Sequence, residues 1–355
     1  MILFEFKEAD PDMGSGSFVR WLTQECVVRQ YKKILMAAAV GMASFASVTA
    51  VNAQAYPNQA ITFVVPYSPG GSSDTRSRQL AQHLSQTLGV SVVVENRPGA
   101  SGNIGTGQIA RAKPDGYTIG LGNFAPMAVN KALYGDSLPF DPKKDIQAIA
   151  LIERGPLALA VNAQSSFKTA QDVVAQAKRE PGKLNYGSTG SGGASHLATE
   201  LFKQRTGTDA THIPYKGGAP ALNDLISNNI DMYLELPSLF IPQLNVAEPR
   251  IRVVGVAADE RIKALPDVPT FKEQGIDVSA SNWFGVIGPA GLPADVVNTL
   301  NTAVNKALQN PEFKQLVESQ GSTVVGGTPE DFRRFIDSET ELWNAVIRDQ
   351  KISVN

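Results

Sequence analysis

Two glycine- and serine-rich turns offer the clearest chemistry in this chain: Pro69-Gly70-Gly71-Ser72-Ser73-Asp74, and Gly187-Ser188-Thr189-Gly190-Ser191-Gly192-Gly193-Ala194-Ser195. Each follows a short apolar run and opens a segment of helical periodicity. The first amides of such a helix have no intrahelical partner, and the positive end of the helix dipole favours an anion in front of them. Glycines let a ligand approach the backbone, and Ser72, Ser73, Ser188 and Ser191 add hydroxyl donors. Both turns therefore suit a carboxylate. Taken singly, either is equally well explained as a tight turn whose serine caps a helix. Together with Asn96-Arg97-Pro98-Gly99-Ala100-Ser101-Gly102-Asn103 and Pro214-Tyr215-Lys216-Gly217-Gly218 they favour a shared cleft, because polar loops at the carboxyl ends of parallel strands are where α/β sheets bind ligands.

Rival chemistries have weaker support. The second turn lacks the Gly-Lys-Ser/Thr ending of a nucleotide-binding loop. Gly105-Thr106-Gly107-Gln108-Ile109-Ala110 fits the loose dinucleotide pattern, but a long loop separates it from the strand that should precede it, so no cofactor is expected. The histidines are His83, His196 and His212, and none sits in a zinc, H-E-x-x-H or G-x-S-x-G setting, so no metal is expected either. His83 falls on a helix beside Leu84 and reads as half-exposed. His196 reads as a loop-stabilising hydrogen-bonder; a hydrolase pairing it with Ser191 or Ser195 is the alternative, against which stands the poor geometry of adjacent residues for proton transfer.

The elements that must position these turns follow from length and patterning. With 355 residues, 43% hydrophobic and 19% charged, the chain has the size of two ordinary domains with a buried core. Its net charge of -2 leaves no basic surplus for phosphates, so no nucleic acid is expected as a partner. Arg29, Lys32 and Lys33 precede an apolar run from Ile34 to Val51 that ends in small residues. This is the order of a secretory signal, and the run is too interrupted by Gly41, Ser44, Ser47 and Thr49 for a membrane span. Residues 1–53 are thus expected to be an N-terminal extension and signal peptide, cleaved near Ala53 or Ala55, with translation beginning near Val27 or Val28. The lone Cys26 would be removed with them, and the mature protein is expected to be periplasmic.

Beyond the signal, strands are expected at 61–66, 90–95, 117–122, 157–162, 184–187, 212–215, 230–236 and 251–257. They alternate with amphipathic helices as in largely parallel α/β layers. A helix from about Ser73 to Leu88 should stop at Gly89, and Thr328-Pro329-Glu330-Asp331 should start another.

These stretches, in their order, resemble the Bug-type periplasmic receptors of tripartite tricarboxylate transporters. The resemblance is carried by Ile61 to Asp74, Val94-Glu95-Asn96-Arg97-Pro98-Gly99-Ala100, Pro114-Asp115-Gly116-Tyr117-Thr118, Leu184-Asn185-Tyr186-Gly187-Ser188, Ser195-His196-Leu197, Pro214-Tyr215-Lys216-Gly217, Leu265 to Thr270 and Trp283-Phe284-Gly285. It implies a type II periplasmic-binding-protein fold, two α/β lobes around a ligand cleft, with lobe 1 at 55–156 plus 281–355 and lobe 2 at 157–280. It implies no catalytic residue. It further implies a monomer that takes a small carboxylate by hinge closure and hands it to an integral membrane permease. A sensor that signals without transport is a further alternative.

By the same likeness, Gly70, Gly71, Ser72 and Ser73 should donate to one carboxylate, and Ser188, Ser191 and Gly192 should hold a second group or a bridging water. Tyr67 should cover an apolar wall, and Asp74 should either stabilise the helix's first turn or meet a ligand amine or hydroxyl. Ser68 and Asn123 complete the candidate set with Glu235. That last residue, in Tyr233-Leu234-Glu235-Leu236-Pro237, departs from the family's usual Phe-Asp-Asn-Leu-Pro, and a glutamate facing the cleft would oppose a second carboxylate.

Overall fold

Short, continuous apolar strands feed two sheets, and the site lies where polar turns leave them. The computed structural model describes residues 56–350 and residue 352; the expected signal segment and Cys26 lie outside the described residues. Four strands come first: β1 (Ile61–Val65), β2 (Val92–Asn96), β3 (Thr118–Asn123) and β4 (Ile146–Pro156). A second sheet is then built from β5 (Ala158–Asn162), β6 (Asn185–Ser188), β7 (Thr211–Pro214), β8 (Met232–Glu235) and β9 (Ile251–Val256), in the order β7-β6-β8-β5-β9. The chain returns through β10 (Ser281–Pro289) and β11 (Thr323–Val324), completing a first sheet ordered β11-β4-β10-β3-β1-β2.

The helices are α1 (Ser72–Leu88), α2 (Asn103–Ala110), α3 (Asn130–Tyr134), α4 (Ala170–Arg179), α5 (Ala194–Thr206), α6 (Gly218–Ile226), α7 (Pro237–Leu244), α8 (Ala294–Gln309), α9 (Pro311–Ser319) and α10 (Pro329–Gln350). None among the described residues is long and apolar enough to cross a membrane.

Each expected strand is present, its ends displaced by no more than two residues. The expectation of largely parallel sheets is corrected. β1 runs parallel to β2 and β3, and β6 to β7 and β8, but β10 is antiparallel to β3 and β4, β11 to β4, and β5 to β8 and β9. The reason is topological. β5 and β10 receive the chain directly from the other sheet rather than from a right-handed βαβ crossover, so they enter in the opposite sense.

Local chemistry fixes the elements around the cleft. α1 buries Leu80, Ala81 and Leu84 and ends at Gly89, which is left-handed at φ 71 and donates its N–H to the Ser85 carbonyl. A wholly buried ion pair, Arg76 Nε to Glu153 Oε1 at 2.9 Å, ties the second turn of α1 to β4. Gly105 in α2 is a packing glycine: a Cβ there would lie 2.7 Å from Pro66 Cα and 2.9 Å from the Arg97 carbonyl. That close approach accounts for the glycine at position 105.

Candidate ligand-binding site

Helix α1 starts directly after Gly70-Gly71, with no side chain capping its first amides. Helix α6 starts in the same way after Gly217. The two starts meet across the lobes: a Cβ on Gly71 would lie 3.2 Å from the Gly218 amide nitrogen. A side chain there would have to push the start of α6 back by a few tenths of an ångström, and the close approach brings two sets of N–H groups without intrahelical partners, each at a positive helix end, to one spot. There the lobes leave a tight pocket of about 10 Å³, partly open to solvent, lined by Tyr67, Ser72, Ser73, Asn123, Thr189, Gly218, Glu235, Asn282 and Phe284. The Ser72 hydroxyl is buried there with no hydrogen-bond partner. An orphaned donor in front of two helix starts is what an anion would satisfy.

Around this end the walls are fixed by a neutral network. The buried Tyr67 hydroxyl donates to Asn123 Oδ1 at 2.6 Å, and Asn123 Nδ2 donates to Asn282 Oδ1 at 2.9 Å and to the Trp283 carbonyl at 2.8 Å. Burial, and the charge of Glu235 nearby, push the Tyr67 phenol well above its ordinary value, so it stays a donor. Glu235, at the carboxyl end of β8, is 2% exposed. Its Oε1 accepts from the Leu236 amide at 2.8 Å and its Oε2 from the Tyr233 hydroxyl at 3.2 Å. Burial raises its pKa, while those two bonds and one from Asn282 pull the other way.

The remaining candidates are placed differently. Asp74 accepts from the Gly70 amide at 2.9 Å, from Asn96 Nδ2 at 2.9 Å and from Arg78 Nε at 3.1 Å. Burial would raise its carboxyl, but the bonds from Arg78, Gly70 and Asn96 outweigh it and hold Asp74 below the usual carboxylate range. Its oxygens thus brace the turn before α1. Ser68 donates its N–H to the Lys216 carbonyl at 3.1 Å, from one lobe to the other.

Ser191 lines a second, roomier basin of about 230 Å³, which shares Tyr67 and Thr189 with the first and includes Ser101, Tyr215 and Lys216. Ser188 Oγ sits 2.6 Å from His212 Nε2 and accepts from the Gly190 amide at 3.1 Å, and Gly192 donates its amide to His196 Nδ1 at 3.0 Å. The second glycine turn is therefore largely tied up by its own histidines and serines. Of the pair of cups expected from the two turns, the first and the start of α6 border the inner pocket.

His196 and His212 stack with ring centroids 4.1 Å apart, and Tyr186 stacks on His212 at 4.9 Å. Burial lowers His196 to a pKa of about 4. Burial, and then His196 itself, lower His212 to about 3. Both rings are neutral near pH 7, and His196, accepting at Nδ1, carries its proton on Nε2. Ser195 Oγ accepts from the Thr189 amide at 3.1 Å, while His196 turns Nδ1 to the Gly192 amide. Ser195 and His196 are thus engaged in holding the loop, while Ser191, the other serine of the hydrolase reading, lines the second basin.

Thr189, Gly218, Asn282 and Phe284 line the pocket without having been singled out from the sequence. Thr189, Gly218 and Phe284 lie within stretches that drew attention, the second glycine turn, Lys216-Gly217-Gly218 and Trp283-Phe284-Gly285. Asn282 had no signal, because its approach depends on the antiparallel register of β10 against β3, which sets Phe284 opposite Asn123.

Two α/β lobes around a pocket at helix starts define a solute-binding protein of the two-lobed periplasmic type. The chain belongs to the family of receptors of tripartite tricarboxylate transporters: the model of that family, described as tripartite tricarboxylate transporter family receptor, matches residues 77–352. It is 35% identical over 302 residues to Protein BugT of Bordetella pertussis, covering 84% of this chain and 91% of that one. Among solved structures it is similar to R. palustris Rpa4515 with adipate, at TM-score 0.80 and 33% identity, covering 84% of this chain and 99% of the other. It is also similar to MatC (Rpa3494) from Rhodopseudomonas palustris with bound malate, at TM-score 0.78 and 28% identity, covering 82% and 100%. The family and these structural neighbours are solute-binding proteins rather than enzymes.

Proposed function

We propose that this protein is the periplasmic receptor of a tripartite tricarboxylate-type transporter, capturing a small carboxylate by hinge closure and delivering it to the membrane permease as a monomer. Lobe 1 is assigned to 55–156 plus 281–355 and lobe 2 to 157–280. The observation that carries the reading is the orphaned Ser72 hydroxyl between the starts of α1 and α6, which come from opposite lobes. A carboxylate there would take charge-assisted bonds worth about 1.5–3 kcal/mol each, and it would take them from both sides only when the lobes meet. The relatives solved with adipate and with malate support a carboxylate ligand.

Closure then follows from linkage: a ligand that touches both lobes binds the closed form better and draws the population to it. Solution scattering tests this. Ligand-stripped protein should have a larger radius of gyration than protein saturated with its carboxylate, and deletion of the gene should abolish cellular uptake of that carboxylate. Equal radii with tight binding would refute hinge closure, and undiminished uptake would refute delivery.

A further inference from the structure

The inner pocket is electrically lopsided. One end has the amides of two helix starts and the Ser72 hydroxyl, all of which favour negative charge. Its lining includes no lysine, arginine or histidine, and its one ionisable carboxyl is Glu235. The second carboxylate of a diacid would have to be buried beside Glu235 with no cation from the lining to compensate, which is a costly arrangement.

Glu235 is also held rather than free. Its oxygens accept from the Leu236 amide and the Tyr233 hydroxyl, and β8, which carries it, is paired on both sides, by β5 and β6. Two ionised oxygens can accept about four bonds, so beside those from Leu236, Tyr233 and Asn282 there is room for one donor entering from the pocket. The other ionisable groups facing it are the phenols of Tyr67 and Tyr233, both neutral. A carboxylate that is buried, fixed in place and lacking a cationic partner is the receiving half of an ion pair whose other half must come with the ligand.

We infer that the ligand of this cleft is a small amino acid-like zwitterion, its carboxylate at the starts of α1 and α6 and its ammonium at Glu235. The inference rests on the carboxylate-capture reading and sharpens it: Glu235 makes this receptor select against dicarboxylates of the same length. The ammonium supplies the missing positive charge at Glu235, and the one negative charge left over is the ligand's carboxylate at the two helix starts.

Titration calorimetry at pH 7.5 on purified, ligand-stripped protein tests it with four matched pairs, in which an amine replaces one carboxylate on the same spacer: glycine and malonate, β-alanine and succinate, γ-aminobutyrate and glutarate, δ-aminovalerate and adipate. At least one amine should bind about tenfold or more tighter than its diacid twin. In Glu235→Gln that preference should shrink or reverse, since the amide keeps the shape but not the charge. The wild-type comparison stands alone if the variant fails to fold. Diacids binding as well as or better than their twins would overturn the inference and leave carboxylate capture intact. A preference for amines that Glu235→Gln leaves unchanged would overturn the role of Glu235. Silence of all eight compounds would count against carboxylate capture itself, and the inference would fall with it.

Discussion

Ser101 donates its hydroxyl to the Ser191 carbonyl at 2.6 Å, linking a loop of the first lobe to the glycine turn of the second. Ser101 is left-handed at φ 53, a conformation rarely held by serine. Such strain persists where surrounding contacts enforce it, and clamps are one such place. Gly190 packs so closely that a Cβ on it would lie 2.7 Å from Ser101 Oγ. The pair reads as a latch formed only when the lobes are together. Ser101→Ala should weaken ligand affinity by about 1 kcal/mol, roughly fivefold in Kd. Gly190→Ala, which adds the clash at φ +123, should weaken it further. Calorimetry with the same ligand measures both, and unchanged Kd values would remove the latch.

Ser72→Ala separates ligand binding from folding. The wild-type hydroxyl is buried without a partner, so its removal should leave the unliganded protein as stable as before, or slightly more so. Affinity for the carboxylate should fall by about 1.5–3 kcal/mol, or tenfold to a hundredfold. Thermal melts with and without ligand read the two effects separately.

Arg76 and Glu153 are each 1% exposed in their side chains and ion-paired at 2.9 Å. Arg76 also donates to Gln79 at 2.6 Å and to Gln320 at 2.8 Å. Glu153→Ala would strand the guanidinium beneath the helix whose start forms the anion cup. Unfolding in denaturant should show a loss of about 3–5 kcal/mol, with a smaller loss in Glu153→Gln.

The stacked histidines predict acid sensitivity. Burial holds His196 at about 4 against its ordinary 6.5, so between those values the unfolded chain takes up a proton that the folded chain refuses. Stability from this group is complete above about pH 6.5 and falls as pH drops toward 4, by at most about 1.4 kcal/mol per pH unit. Glu235 and Glu339, raised by burial, act in the opposite sense, so the test is a difference. His196→Asn, whose amide oxygen can still accept from Gly192, should flatten the fall of Tm between pH 6.5 and 4.5. An unaltered slope would contradict the assignment.

The strands of the βαβ portions were legible because each is a continuous apolar run ended by a polar turn, as in Ile61 to Val65 or Ile251 to Val256. β4 and β10 were not, because they are long strands linking one sheet to the other, set by pairing across 129 residues of sequence in the case of Arg154 and Trp283 rather than by local pattern. Among the residues lining the inner pocket, Ser72, Ser73 and Glu235 were marked in the sequence by a glycine-rich turn and an unusual charge. Asn282 did not, since nothing local marks it. In the second glycine turn, His212 and His196 engage the Ser188 hydroxyl and the Gly192 amide, while Thr189 and Ser191 line the two basins. Composition marks both turns but does not show which of their polar groups the chain itself engages.

The most direct test of the central claim is a thermal-shift comparison of carboxylates with their primary amides on ligand-stripped protein, in wild type and Ser72→Ala. One class of small carboxylate, amino acids included, should give a saturable rise in Tm. The matching amide should give none, because the helix starts require the charge, and Ser72→Ala should need a higher ligand concentration for the same rise. No response to any carboxylate, or an equal response to the uncharged amide, would contradict an anion site at the starts of α1 and α6.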